Sequence, residues 1–205
     1  MGRQSRAKRE KRSRRPARRG SLLRHRGGLV AGGVVLAAVG LLLFLGRVGP
    51  GPSSLSAGDR APAFALPATD GGTVSLADLR DGNALLYFSE GVGCDPCFTQ
   101  MVELEGHRDH LEELDVSLVP VMTNPGPMVA QEARRFGIRT PVLIDSSKRV
   151  SVAYDVLGRG HHADLPGHSF ILVDQAGIVR WRGDYPSMYV SAGELLGALR
   201  SSLPA

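Results

Sequence analysis

The apolar positions of the chain follow two spacings, and between residues 83 and 203 these alternate. Residues 83–89 (NALLYFS) form a short continuous apolar run behind Arg80, Asp81 and Gly82, the pattern of a strand buried on both faces. Residues 97–114 carry Phe98, Met101 and Val102, then Leu111 and Leu114, at helical spacing, which predicts a helix. Residues 116–123 (VSLVPVMT) read as a second strand, 127–136 as a helix ended by Gly137, and 141–145 (PVLID) as a third strand. A helical turn is predicted at 150–154. Strands at 169–174 (SFILVD) and 178–185 (IVRWRGDY) are separated by Gln175, Ala176 and Gly177, a hairpin signal. A closing helix over 191–203 sets Leu195, Leu196, Leu199 and Leu203 on one face. This order predicts an α/β fold, a mixed sheet parallel at its centre with helices on both faces.

A third pattern stands apart near the N-terminus. Residues 27–46 (GGLVAGGVVLAAVGLLLFLG) are apolar all round and uncharged. About 20 residues at 1.5 Å rise cross the roughly 30 Å hydrocarbon core of a bilayer, so one transmembrane helix is predicted ahead of the α/β domain. Residues 1–26 hold twelve Arg or Lys against Glu10 alone, a charge of +11, while the remainder carries −6, the two together giving the net +5. The high isoelectric point therefore belongs to the arm, and nucleic acid is not an expected partner of the domain. By the positive-inside rule the arm is cytoplasmic and the domain lies outside, at the plasma membrane. A cleaved signal peptide would have a shorter apolar stretch and a small-x-small site, which the following RVGPGPSS does not offer. The expected organisation is a basic cytoplasmic arm (1–26), a transmembrane helix (27–46), a Gly/Pro/Ser linker (47–57) and a domain over 58–205.

The chemistry concentrates in GVGCDPCFTQ, residues 91–100, which holds the only two cysteines, Cys94 and Cys97. They fall where the first core strand hands over to its helix. Cys94 would stand at the helix start, where free N–H groups and the macrodipole favour a thiolate, the nucleophilic form. Pro96 suits an early helical position, and the carboxylate of Asp95 opposes the thiolate. Three readings compete. A structural disulfide would close a loop of only four residues and remove little chain entropy. A metal pair would need further ligands; His161, His162, Asp164 and His168 are nearby in sequence, but in no familiar zinc spacing. A redox couple fits the position after a strand, and needs no metal or organic cofactor.

Several blocks carry a resemblance. GDRAPAFALPATDGGTVSLADLR (58–80), ALLYFSEGVGCDPC (84–97), PVLIDSSKRVSVAYDVLG (141–158) and GHSFILVDQAGIVRWR (167–182) are similar to the thioredoxin-fold proteins of the AhpC/TSA and TlpA-like group. The resemblance implies a thioredoxin-like fold, with Cys94 as attacking thiol and Cys97 as resolving thiol. It also implies protein thiol or disulfide substrates and a redox partner at the membrane. Two rivals remain: a peroxiredoxin-like thiol peroxidase, and a non-catalytic module with a structural disulfide. The peroxiredoxin pattern Pro-x-x-x-Thr/Ser-x-x-Cys has Tyr87 and Gly91 here, so the hydroxyl that would orient a peroxide is missing. The thioredoxin-like reductases carry a cis-proline where this chain has Gly167, with Pro166 one residue earlier. Glu90, four residues before Cys94, is a candidate proton relay for Cys97. Asp95, Pro96, Gly167 and His168 are the expected substrate-docking residues, and Trp181 is expected to pack in the core or cover its edge.

Overall fold

The structure, a computed structural model, describes residues 54–203. The basic arm, the apolar run 27–46 and most of the expected linker lie outside the described residues. Among those described, no helix is long and apolar enough to cross a membrane.

Among the described residues seven strands and five α-helices follow in order: β1 Ala65–Pro67, β2 Thr73–Ser75, a 3₁₀ turn Leu76–Leu79, β3 Asn83–Phe88, α1 Asp95–Gly106, α2 Arg108–Glu112, β4 Val116–Met122, α3 Gly126–Phe136, β5 Leu143–Ile144, α4 Arg149–Ala153, β6 Ser169–Val173, β7 Val179–Asp184 and α5 Ala192–Ser202. The main sheet has the strand order β5-β4-β3-β6-β7. β3 pairs parallel with β4 and antiparallel with β6, so the sheet is mixed as expected, with β3 the strand at which direction changes. β1 and β2 form a separate antiparallel pair.

β3 explains the unbroken apolar run. Leu85 and Tyr87 face one layer, with Phe98, Met101 and Leu104 of α1, Val129 and Ala133 of α3, and Leu195 and Leu199 of α5. Leu86 and Phe88 face the other, against Phe64, Leu66, Tyr154 and Ile171. Leu85, Leu86, Tyr87 and Phe88 are all 0% exposed, so every position had to be apolar or internally bonded. The expectation of helices on both faces is met unevenly. α1, α3 and α5 cover one face, whereas the other is closed chiefly by the segment from Leu55 to Leu76, and the five-residue α4 adds Val150 there.

Two further boundaries differ from expectation. The helix predicted over 97–114 is two helices, interrupted at His107, whose backbone leaves helical geometry (φ −109°, ψ 22°). Gly106 weakens the helix there, and the His107 ring Nδ1 takes a side-chain bond to the Glu103 carbonyl at 2.9 Å, in competition with the backbone ladder. At the other end, α1 begins at Asp95 with Pro96 second, so Cys94 is the N-cap and Cys97 lies in the first turn. α3 ends as read: Gly137 adopts φ +74° and closes the helix with bonds to the Ala133 and Arg134 carbonyls.

Candidate active site

The cysteines meet at the carboxyl end of β3, as a disulfide with Cα atoms 5.4 Å apart. The two residues differ in access: Cys94 is partly exposed, whereas Cys97 is 0% exposed. No side chain caps the helix at Cys94. Its backbone N–H donates to the Gly91 carbonyl at 2.9 Å, and the Cys97 N–H donates to the Cys94 carbonyl at 3.0 Å.

The approach to Cys94 is shaped by Gly91, which adopts φ +78°. A Cβ there would collide with the side-chain oxygen of Asn124. That oxygen accepts the Val92 N–H at 3.1 Å, so a residue from the β4–α3 connection holds the loop before the cysteine. The hydroxyl absent from the sequence at this place therefore has neither the space nor the backbone conformation it would need. Asn124 was not read from sequence, since an Asn after a strand signals only a turn.

Beneath Cys97 lies a buried polar cluster. The Tyr87 hydroxyl is 3.2 Å from the Cys97 carbonyl oxygen and 3.1 Å from His168 Nδ1. His168 Nε2 is 3.3 Å from Gln100 Oε1, which also accepts the Val190 N–H at 2.9 Å. Tyr87, Gln100 and His168 are each 0% exposed, and the Tyr87 ring stacks on Phe170 at 4.5 Å. Burial pushes the His168 ring down to about 4 and the Tyr87 hydroxyl well up, so both are neutral near pH 7.

The expected docking residues separate into two groups. Asp95 and Pro96 are exposed beside Cys94, and Asp95 is paired with Arg135 of α3 at 2.6 Å. Arg135 also meets Glu132 at 2.7 Å and lies over the Phe136 ring at 4.4 Å. Gly167 and His168 are buried, and the peptide bond at Pro166, like every described one, is trans. The His168 side chain is therefore turned into the core and presents nothing to a partner. At Gly167 any side chain would strike the backbone of Arg159, 2.6 Å from its carbonyl oxygen. His161, His162 and Asp164 are exposed while His168 is enclosed, so these four do not converge; among the described residues no three His, Cys, Asp or Glu side chains are set to hold a metal ion.

Glu90 is 5% exposed, and both its oxygens are occupied. One accepts the N–H groups of His161 and His162 at 2.7 and 3.1 Å, and the other meets His162 Nδ1 at 2.9 Å. Burial would raise its carboxyl, but these bonds together hold it below the usual carboxylate range. The same loop is tied at its base. Arg159 pairs with Asp155 and, at 3.4 Å, with Asp184, which also takes Ser169 Oγ at 2.6 Å and Arg182 Nε at 3.0 Å. Trp181 is half-buried against the core, over Gly183, where an added Cβ would meet the indole.

A sheet that changes direction at its central strand, followed by a helix that opens with a Cys-x-x-Cys disulfide, defines a thioredoxin-like protein able to gain and release two electrons at sulfur. The AhpC/TSA family pattern matches residues 57–182, and the chain belongs to that family. Thiol-disulfide oxidoreductase ResA of Bacillus subtilis is 29% identical over 124 residues, 60% of this chain and 68% of its own length. Peroxiredoxin Bcp of Escherichia coli is 29% identical over 104 residues, 51% of this chain and 67% of its own length. Among solved structures, peroxidoxin BcpB of Mycobacterium tuberculosis shares the fold with a TM-score of 0.63 at 19% identity, over 73% of this chain and 99% of that one. The reduced 2-Cys peroxiredoxin of Plasmodium vivax does so with a TM-score of 0.64 at 23% identity, over 73% and 96%. The chain is a redox enzyme of this family.

Proposed function

We propose that the protein is a membrane-anchored, extracytoplasmic thiol-disulfide oxidoreductase. The observation that carries this reading is the Cys94–Cys97 disulfide at the start of α1, with its first cysteine open to solvent and its second enclosed. In the reducing direction the Cys94 thiolate attacks a substrate disulfide, forming a mixed disulfide and expelling one substrate thiolate. The Cys97 thiolate then attacks Cys94 sulfur, expels the second substrate thiol and closes the disulfide, so two electrons pass to the substrate. The free N–H groups of the first turn favour the Cys94 thiolate. A redox partner at the membrane resets the pair.

Asp95 and Pro96 form part of the rim on which a protein substrate docks, and Gly167 and His168 support that rim from below. Glu90 acts in this reading by fastening the 158–168 loop; a carboxyl held low and bonded on both oxygens is a poor proton store near neutrality, so the relay expected for it gives way. The anchor rests on the arm and apolar run of the sequence. The peroxidase reading draws on relatives such as Bcp, and the blocked position at Gly91 weighs against it.

Trapping tests the assignment. A Cys97→Ser variant in its own membrane should stay disulfide-linked to protein partners through Cys94, and the wild type should reduce an insulin disulfide. A Cys94→Ser variant that traps partners equally well would overturn the roles.

A further inference from the structure

Resolution of a mixed disulfide depends on where Cys97 is held once its bond to Cys94 is gone. On its exposed side the first turn of α1 is tied by the Asp95–Arg135 pair and by the Thr99 hydroxyl on the Asp95 carbonyl, but its start is sparsely bonded. Its cap offers no side chain, Pro96 has no N–H, and the Cys97 N–H is spent locally on the Cys94 carbonyl. In the oxidised form the disulfide itself ties the turn. When it opens, the buried polar tie from the sheet to this turn is the Tyr87 hydroxyl at the Cys97 carbonyl.

The direction of the bonds in the cluster can be worked out. The Val190 N–H can only donate, so the Gln100 atom facing it is the oxygen, which fixes the orientation of the amide. That oxygen then receives His168 Nε2–H, which leaves Nδ1 of the neutral ring as an acceptor. Tyr87 thus sits between two acceptors, Nδ1 and the Cys97 carbonyl, and donates its one proton toward them. His168 Nε2 lies 3.3 Å from Gln100 Oε1 and 3.4 Å from the Tyr87 oxygen, so its one hydrogen serves either acceptor, while the hydroxyl's own proton goes to Nδ1 or the Cys97 carbonyl. The Tyr87 ring is stacked on Phe170 of β6 and its backbone lies in the central strand, so the donor is rigidly placed.

We propose that Tyr87 is a positioning residue for the resolving cysteine, oriented by His168 and Gln100, and that it holds Cys97 against Cys94 while the disulfide is open. The proposal rests on the assignment of Cys94 as attacking and Cys97 as resolving thiol. It does not concern the first attack, since Cys94 lies outside the bonded cluster.

The test uses the full chain and glutathione as the probe. Reduced Cys94 attacks oxidised glutathione, giving a protein–glutathione mixed disulfide and one glutathione thiolate; Cys97 then displaces the second glutathione and closes the ring. Tyr87→Phe keeps the ring and removes only the hydroxyl. We expect the fraction caught as mixed disulfide to rise about fivefold, the worth of one hydrogen bond, with the alkylation rate of Cys94 in the reduced protein unchanged. Amide exchange in the first turn of α1 should quicken in the reduced variant and stay slow in the oxidised one. An unchanged partition between mixed and closed disulfide would overturn the proposal, even with a lowered thermal midpoint, because a purely structural hydroxyl affects both redox forms alike. Cys97→Ser separates the two levels: if it accumulates the mixed disulfide while Tyr87→Phe partitions as wild type, only this proposal fails. If Cys97→Ser does not accumulate it, the underlying assignment fails too.

Discussion

At the scale of single residues, the chemistry turns on what stands within a few ångströms of Cys94. Asp95 opposes its thiolate, and Arg135 answers Asp95 from another helix at 2.6 Å. Both partners are more than half exposed, so the pair adds little stability and acts mainly by setting the local charge. Alkylation of the reduced protein at mildly acidic pH should label Cys94 before Cys97. Asp95→Asn should speed that labelling by about threefold or less, and Arg135→Ala should slow it by a similar factor, both effects shrinking in high salt. Labelling of Cys97 first would reverse the assignment. Gly91 leads to a second prediction. Hydrogen peroxide should be consumed slowly with an artificial thiol reductant, and Gly91→Thr should not improve this. That substitution meets Asn124 at a positive φ and should cost about 2 kcal/mol or more of stability, read from chemical denaturation. Fast, Cys94-dependent peroxide turnover by the wild type would restore the peroxidase reading.

At the scale of elements, β3, β6 and α1 are joined through Tyr87 and His168, and this junction is sensitive to acid. His168 titrates near 6.5 when unfolded but at about 4 in the fold, because burial disfavours its charge. Between those values the unfolded chain binds the proton and the folded one does not, so stability is fully present above pH 6.5 and falls as the pH drops towards 4. The fall should approach about 3 kcal/mol. Comparing unfolding of the wild type and His168→Gln across that window checks it; equal slopes would refute it. The sequence told a good deal about these elements. β3, β4 and the β6–β7 hairpin were legible because one or both faces of each are buried and the turn residues are distinctive. β1 and β2 were not, being three-residue strands with a single buried residue between them and no period to read. Cys94 and Cys97 announced themselves by spacing. Gln100 and Tyr87 did not, since a Tyr in an apolar strand reads as packing, and their bonds reach across 68 to 90 residues of chain to His168 and Val190.

At the scale of the whole molecule, the arm and the apolar run make a prediction about sidedness. In cells stripped of any outer barrier, added protease should digest the redox domain and spare residues 1–26; protection of the domain would reverse the orientation, and a mature soluble form beginning near residue 57 would reveal cleavage instead. Tethering of that kind crowds identical domains on one surface, and crowding gives importance to the borders of the sheet. One border is β5, only two residues long. The other is β7, along which Arg180 and Arg182 are held by Asp174 and Asp184. Neither border offers a neighbouring copy a long, uncharged strand to pair with. A domain tethered as proposed would therefore pack densely without its sheets growing into one another, and removal of the charge at Arg180 is the change most apt to start that growth.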